Sequence, residues 1–158
     1  METETIRFEE LKKVILERAR AAEACREQYG RAYKAGNIDE LMEVVRDNFQ
    51  WCCNNGVIDG ELIDRYKTEF NECKIWHNED ASEGCLLASG SAAVRASGSA
   101  TVEAYDSATV RAYDSAYICS WSAIECQLND HSIYRIEETN EVRYVDENIK
   151  FVKVKEAE

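Results

Sequence analysis

The sequence predicts an α+β protein in which an N-terminal cap of three helices precedes a short β-solenoid. An eight-residue phrase recurs between positions 82 and 145, in forms such as SGSATVEA and YDSATVRA, and a fixed short period is typical of repeat architectures. Apolar residues recur at helical spacing before it, and proline is absent throughout. We expect helices over 1–76, the solenoid over 77–145, and a C-terminal strand cap with a frayed tail over 146–158.

The helical region divides at two turn signals. The first helix is predicted from Thr5 to Tyr33. Asn37 and Glu40 form a capping-box pair that starts the second helix, and Asp59 caps a third that reaches Cys73. Roughly seventy residues of amphipathic helix are marginal on their own. We therefore expect the helices to be stabilised by packing against the solenoid and to cover the exposed edge of its first coil.

Each octad reads as one short strand followed by a corner. Residues two apart share a face of a strand, and these positions carry small apolar side chains. We expect them to form the inner columns, as in Ala92, Val94, Ala96; Ala100, Val102, Ala104; and Ala108, Val110, Ala112. Corners follow at Gly90-Ser91, Gly98-Ser99, Asp106-Ser107 and Asp114-Ser115, where Gly and Asp tolerate turn conformations.

Eight octads with two strands per coil predict about four coils, each rising roughly 4.8 Å. A triangular coil of three octads is the main alternative, and an antiparallel meander is a weaker one because the repeats contain no Asn-Gly or Asp-Gly turns. The inner register continues more loosely to Asn140, Val142 and Tyr144. A hairpin of Glu141–Val145 with Ile149–Val154 is predicted to close the last coil.

Charge and composition exclude several classes of function. The chain has 19 Lys and Arg against 31 Asp and Glu, a net charge of -12, which argues against direct binding of nucleic acid. The acidity is spread evenly along the chain. There is no signal-peptide pattern and no apolar run long enough to span a membrane, so we expect a cytoplasmic protein. Its seven cysteines are then expected to be reduced thiols.

Chemistry-bearing motifs are scarce, and we predict neither enzymatic activity, nor a cofactor, nor a metal site. His77 and His131 lie in different parts of the chain, without a nucleophile motif beside either. An enzyme would need one of them beside an acidic or thiol partner in a deep pocket. The cysteines lack metal-ligand spacing, and the vicinal pair Cys52-Cys53 is only a weak redox candidate.

The best candidates for partner binding are four aromatic residues at the strand ends and outer faces. They are Tyr105, Tyr113, Tyr117 and Trp121. In a two-sided coil, Tyr105 and Trp121 stack on one face while Tyr113 lies on the other. Rigidly spaced, exposed aromatic side chains make good binding anchors. The alternative is that they shield corners or pack beneath the helices.

The phrases ATVEAYDS (100–107) and ATVRAYDS (108–115) resemble a group of bacterial and mobile-element proteins with octapeptide β-solenoid repeats. Those proteins place a short helical region, with a segment similar to FQWCCNNGVI (49–58), before the repeats. The resemblance implies the architecture over most of the chain. It implies no activity and supplies no catalytic residue.

Two functional hypotheses follow. The first is a non-enzymatic protein-binding module, most concretely a stoichiometric inhibitor of a bacterial immune nuclease of the anti-CRISPR type. The second is a structural solenoid that self-assembles through its ends into oligomers. An enzyme of unknown class is the residual alternative.

Overall fold

The computed structural model describes residues 2–145, which form a helical region followed by a two-sided β-solenoid. Within that range there are six helices. They are α1 (Glu2–Ala21), α2 (Arg26–Lys34), α3 (Ile38–Asp47), α4 (Phe49–Asn54), α5 (Gly60–Arg65) and α6 (Lys67–Glu72). The α+β class with a solenoid is confirmed, but each of the three predicted helices is divided into two.

The helix breaks have local causes. Glu23 adopts a left-handed φ of 60° between α1 and α2. Asn48 separates α3 from α4, and its side-chain amide donates to the carbonyl of Val44 at 2.8 Å. Two of the three predicted helix starts are confirmed, because Asn37 accepts from the N–H of Glu40 at 2.9 Å, and Asp59 from that of Leu62 at 2.8 Å. The first helix begins at Glu2 and not at Thr5.

Nine short strands follow within the described residues. They are β1 (Ile75–His77), β2 (Cys85–Ala88), β3 (Ala93–Ala96), β4 (Thr101–Ala104), β5 (Thr109–Ala112), β6 (Tyr117–Ser120), β7 (Glu125–Leu128), β8 (Ile133–Ile136) and β9 (Glu141–Tyr144). The six-stranded sheet has the order β1-β2-β4-β6-β8-β9, and the three-stranded sheet has the order β3-β5-β7. Successive coils are in parallel register, so the solenoid has two strands per coil.

Three full two-strand coils are present, rather than four. After β8 the chain reverses at Asn140, whose φ is 56°, and β9 pairs antiparallel with β8. This reversal also corrects the last inner column. Glu141 and Arg143, opposite Ile136 and Tyr134, share the inner face, whereas Val142 and Tyr144 face outward. The predicted partner strand Ile149–Val154 and the tail lie outside the described residues.

The corners form two ladders of carboxylate bonds. Asp106 and Asp114 adopt left-handed φ values of 58° and 54°. Each carboxylate accepts the N–H of the corner sixteen residues earlier, Asp106 from Gly90 at 2.9 Å and Asp114 from Gly98 at 2.8 Å. Gly98 must itself be glycine, because a Cβ there would lie 2.2 Å from the carbonyl oxygen of Ser82.

The solenoid interior is narrow at first and wider at its end. Val102, Val110 and Ile118 are fully buried between columns of alanine. At the last coil Tyr134 fills the interior, and its hydroxyl lies 2.5 Å from Ser120 Oγ and accepts from the N–H of Ile124. The inner column therefore changes from alanine and valine to a single aromatic ring at the C-terminal end.

The helices cover the outer face of the six-stranded sheet and do not simply cap its edge. Outward-facing Leu87, Glu103 and Cys119, adjacent in register on β2, β4 and β6, are all buried. Gln50 on α4 donates to Cys119 Sγ at 3.3 Å. The first edge is instead extended by β1, which begins at Ile75 and pairs with β2. One broad side of the solenoid is thus a domain interface.

Candidate functional site

The four predicted aromatic residues are divided among different environments. Tyr105 is half-buried against the helical core, and its hydroxyl donates to the side-chain oxygen of Asn54 on α4. Tyr113 lies at a corner on the other side, where the guanidinium of Arg95 sits 5.3 Å from its ring centroid. These two residues therefore make internal contacts. Tyr117 opens β6 and Trp121 follows its end, so both lie on the outer side of the six-stranded sheet, four residues apart.

Tyr117 and Trp121 belong to an exposed apolar stripe on the outer face of the six-stranded sheet. Register places Tyr117, Ile133 and Tyr144 side by side across β6, β8 and β9. Trp121 follows β6, is 61% exposed, and accepts the N–H of Glu138 through its carbonyl. We define the exposed stripe as Tyr117, Trp121, Ile133, Val142 and Tyr144. Tyr117 and Ile133 are half-buried, the other three are exposed, and Arg135 lies among them opposite Val142.

A buried cluster of thiols and carboxyls lies between the helices and the sheet. Glu103 is only 4% exposed. Burial, with a smaller contribution from Glu137, raises the pKa of its carboxyl to about 8. Burial also raises the pKa of Cys119 to about 12 and that of Cys85 to about 11. Protonated thiols of this kind are poor nucleophiles.

Of the vicinal cysteines on α4, Cys53 lies near Glu103 and Cys85, whereas Cys52 is buried in the helical core. Burial raises the pKa of Cys52 to about 12 and that of Cys53 even further. Both are free thiols. Their environment does not support the thiolate that redox exchange requires.

A chain of hydrogen bonds joins Asp64, His77 and Ser89. The Nδ1 atom of His77 lies 2.9 Å from Asp64 Oδ1, and the Nε2 atom lies 2.9 Å from Ser89 Oγ. An ionised carboxylate only accepts hydrogen bonds, so Nδ1 carries the ring proton and Nε2 accepts from the serine hydroxyl. This is the relation of orienting acid, base and nucleophile found in serine hydrolases.

Three elements assemble this Asp-His-Ser constellation. Asp64 lies on α5, His77 ends β1, and Ser89 occupies the corner after β2. Gly60 makes room for the imidazole, since a Cβ there would lie 2.3 Å from His77 Nε2. The His77 side chain is 12% exposed, whereas that of Asp64 is 63% exposed. The ring is thus held between a helix and a corner, with its acidic partner at the surface.

Sequence reasoning missed this constellation because it assigned residues 1–76 to the helical region and predicted no strand at Ile75–His77. The structure forms β1 there and aligns His77 with Leu87, two residues before Ser89. A strand assignment for Ile75–His77 would have supplied the signal. His131, by contrast, lies in the turn between β7 and β8, and its N–H donates to the carbonyl of Asp114 at 2.9 Å.

An apolar cavity of about 250 Å³ lies among α1, α2, α3 and α4. Two amide side chains that line the cavity are hydrogen-bonded to each other, because Asn48 Nδ2 donates to Gln28 Oε1 at 3.0 Å. Arg31 donates to the same Gln28 oxygen at 2.8 Å. The cavity therefore offers shape but little polar selectivity.

Over residues 2–145, no three His, Cys, Asp or Glu side chains are grouped to hold a metal ion. No helix in the same range is long and apolar enough to cross a bilayer. No protein-family model matches the chain, and no match was found among curated proteins or solved structures. Function must accordingly be argued from the geometry.

Proposed function

We propose that the chain is a protein-binding module that acts by occupying a partner surface, with the exposed stripe as its contact. The carrying observation is the placement of large apolar side chains on the part of the outer face that the helices leave uncovered. Trp121 is exposed just after β6 of the parallel ladder, and Val142 is exposed on β9, which pairs antiparallel with β8. Exposed aromatic anchors on a rigid support lose little entropy on binding.

The chemistry around the stripe indicates the kind of partner. Glu138 is exposed beside it, and the whole chain carries a net charge of -12. A protein surface with an apolar pocket and a basic rim is complementary to this combination. Nucleic-acid grooves are basic, so an inhibitor of a bacterial immune nuclease, of the anti-CRISPR type, is the most concrete form of the proposal. The protein would act there stoichiometrically, in the cytoplasm.

The experiment is a pull-down from a lysate of CRISPR-bearing bacteria, followed by cleavage assays with the recovered nuclease. We expect wild-type protein to inhibit cleavage at a molar ratio near one, and Trp121→Ala to weaken binding by roughly 30-fold or more, as for an anchor residue. Tyr33→Ala is the matched control, because Tyr33 is 65% exposed but lies on α2. Equal loss in both variants, or no inhibition, would refute the proposal.

The alternative of a self-assembling solenoid receives less support. The inner face of β9 presents Glu141 and Arg143, which form an ion pair at 3.0 Å. Charged residues that point inward at a sheet end oppose stacking of a second copy. This end therefore favours a monomer that binds a different protein.

A further inference from the structure

We propose that Ser89 is an activated nucleophile that accepts an acyl group from a neutral, activated ester, with His77 as its base and Asp64 as the positioning residue. The proposal goes beyond partner binding, and it uses a different part of the molecule from the exposed stripe. It rests on the two hydrogen bonds of 2.9 Å that meet at the His77 ring. Nucleophile, base and orienting acid are recognised by such geometry and not by their positions along the chain.

The next corner along the chain carries a serine that lacks this environment. Ser97 lies one octad later and also precedes a glycine with a left-handed φ, as Ser89 does. Among the described residues, His77 is hydrogen-bonded to Ser89 and Asp64 only. Turn geometry accounts for a serine at both corners, but not for an oriented imidazole at one of them. The molecule thus supplies its own matched control.

Donors for the developing oxyanion are limited. The N–H of Ser89 donates to Asn78 Oδ1 at 2.8 Å, and the N–H of Gly90 donates to the carboxylate of Asp106 at 2.9 Å. The bond to Ser89 fixes the orientation of the Asn78 amide, since only its oxygen can accept. Its Nδ2 group is therefore left beside Ser89 as the donor for a substrate oxygen. A side-chain amide serves this purpose in some hydrolases.

These surroundings define the substrate class. The carboxylates of Asp64 and Asp106 near the corner disfavour an anionic acyl donor. Because the backbone donors are engaged, stabilisation of the oxyanion is modest, and the leaving group must itself be good. Aryl esters of small neutral acids meet both conditions.

The reaction balances in two steps. Ser89 Oγ attacks the carbonyl carbon while its proton moves to His77 Nε2, and the tetrahedral adduct then expels the alcohol or phenol, which takes that proton. An ester of Ser89 remains. In the second step a water molecule loses a proton to His77 Nε2 and attacks the acyl carbon. The bond to Ser89 Oγ then breaks, Ser89 Oγ takes the proton from His77 Nε2, and the carboxylic acid is released.

Two probes test the proposal on the full-length protein. A fluorophosphonate should phosphonylate Ser89 with loss of fluoride and a proton, located by peptide mass spectrometry, and p-nitrophenyl acetate should release p-nitrophenol. We expect both reactions to vanish in Ser89→Ala and to persist in Ser97→Ala. His77→Gln should slow them by about 100-fold or more, the usual contribution of a general base.

Positioning and oxyanion roles have their own variants. Asp64→Glu should restore part of the rate that Asp64→Asn loses, because only the former retains a carboxylate acceptor. Asn78→Asp keeps the oxygen bonded to the N–H of Ser89 but removes the Nδ2 donor, so turnover of p-nitrophenyl acetate should fall while the circular dichroism spectrum is unchanged.

A thiol-reactivity test provides a second measurement in case one of the inactive variants does not fold. In Ser89→Cys the new thiol should react with iodoacetamide faster than the thiol of Ser97→Cys, since only the former contacts the imidazole. Absence of label at Ser89 in the folded wild type, or equal labelling rates in wild type and a folded His77→Gln, would overturn the proposal.

Discussion

Glu103 points outward from the solenoid, but it is buried because the helices pack over this face of the sheet. Its neighbours along the ladder, Leu87 and Cys119, are buried with it beneath the helices. In the described part of the chain its carboxyl has no cationic partner, and Glu137 adds negative charge nearby. The neutral form is therefore the stable one in the folded protein.

This burial makes stability depend on pH. An unfolded chain releases the Glu103 proton near the ordinary pKa of 4.5, whereas the folded protein retains it up to about 8. Between those values the folded state binds more protons, so this residue lowers the free energy of unfolding by roughly 1.4 kcal/mol per pH unit as pH rises. Glu103→Gln should remove that slope and stabilise the protein at alkaline pH.

Urea unfolding followed between about pH 5 and pH 8 measures the effect. Glu125→Gln is the control, because Glu125 lies exposed on the outer face of β7 and its removal should leave the slope unchanged. Parallel stability curves for wild type and Glu103→Gln would contradict the assignment.

Individual corners join successive coils, and Asp114 shows how. It combines a left-handed backbone with a carboxylate bond to the N–H of Gly98. Asp114→Gly keeps the backbone freedom but loses the bond, at a cost of about 1 kcal/mol. Asp114→Ala loses both and should cost about 1 kcal/mol more. Asp114→Asn, which retains an acceptor oxygen, should be mildest, and any other order of these three midpoints in denaturant would disprove this account.

Strands and corners were predictable from sequence because each depends on its own eight residues. Alternation sets the inner face, and Gly or Asp marks the corner, as at Gly98 and Asp114. Elements that depend on another part of the chain were not predictable. The strand β1 has three residues and forms through pairing with β2. The Asp-His-Ser constellation requires β1, so it was missed with it.

The candidate binding surface was predicted in part for the same reason. Tyr117 and Trp121 were identified from the repeat register, which is local. Val142 and Tyr144 were assigned to the inner face, because the reversal at Asn140 was not foreseen. The contact of Tyr105 with Asn54 depends on where the helices dock, which no octad encodes.

At the scale of the whole molecule, we expect the charged C-terminal end of the solenoid to limit self-association of the protein. Glu141 and Arg143 place charge where the next coil would place apolar side chains. We expect the wild-type protein to be a monomer across a wide concentration range, as measured by light scattering. Glu141→Val with Arg143→Val should expose an apolar end and produce concentration-dependent assembly. Val142→Thr, on the outer face of the same strand, should remain monomeric, and assembly of the wild type would refute the expectation.

The carboxylate ladder has a further consequence for how such a chain can change in length. Three corners donate a backbone N–H to the carboxylate sixteen residues later: Gly90 to Asp106, Gly98 to Asp114, and Asp114 to Asp130. An in-frame duplication of a sixteen-residue unit that carries such a corner would therefore also supply the carboxylate for the added corner bond. Growth by tandem duplication is compatible with this architecture, and the helices and the antiparallel β8–β9 pair would bound the parallel coils at either end.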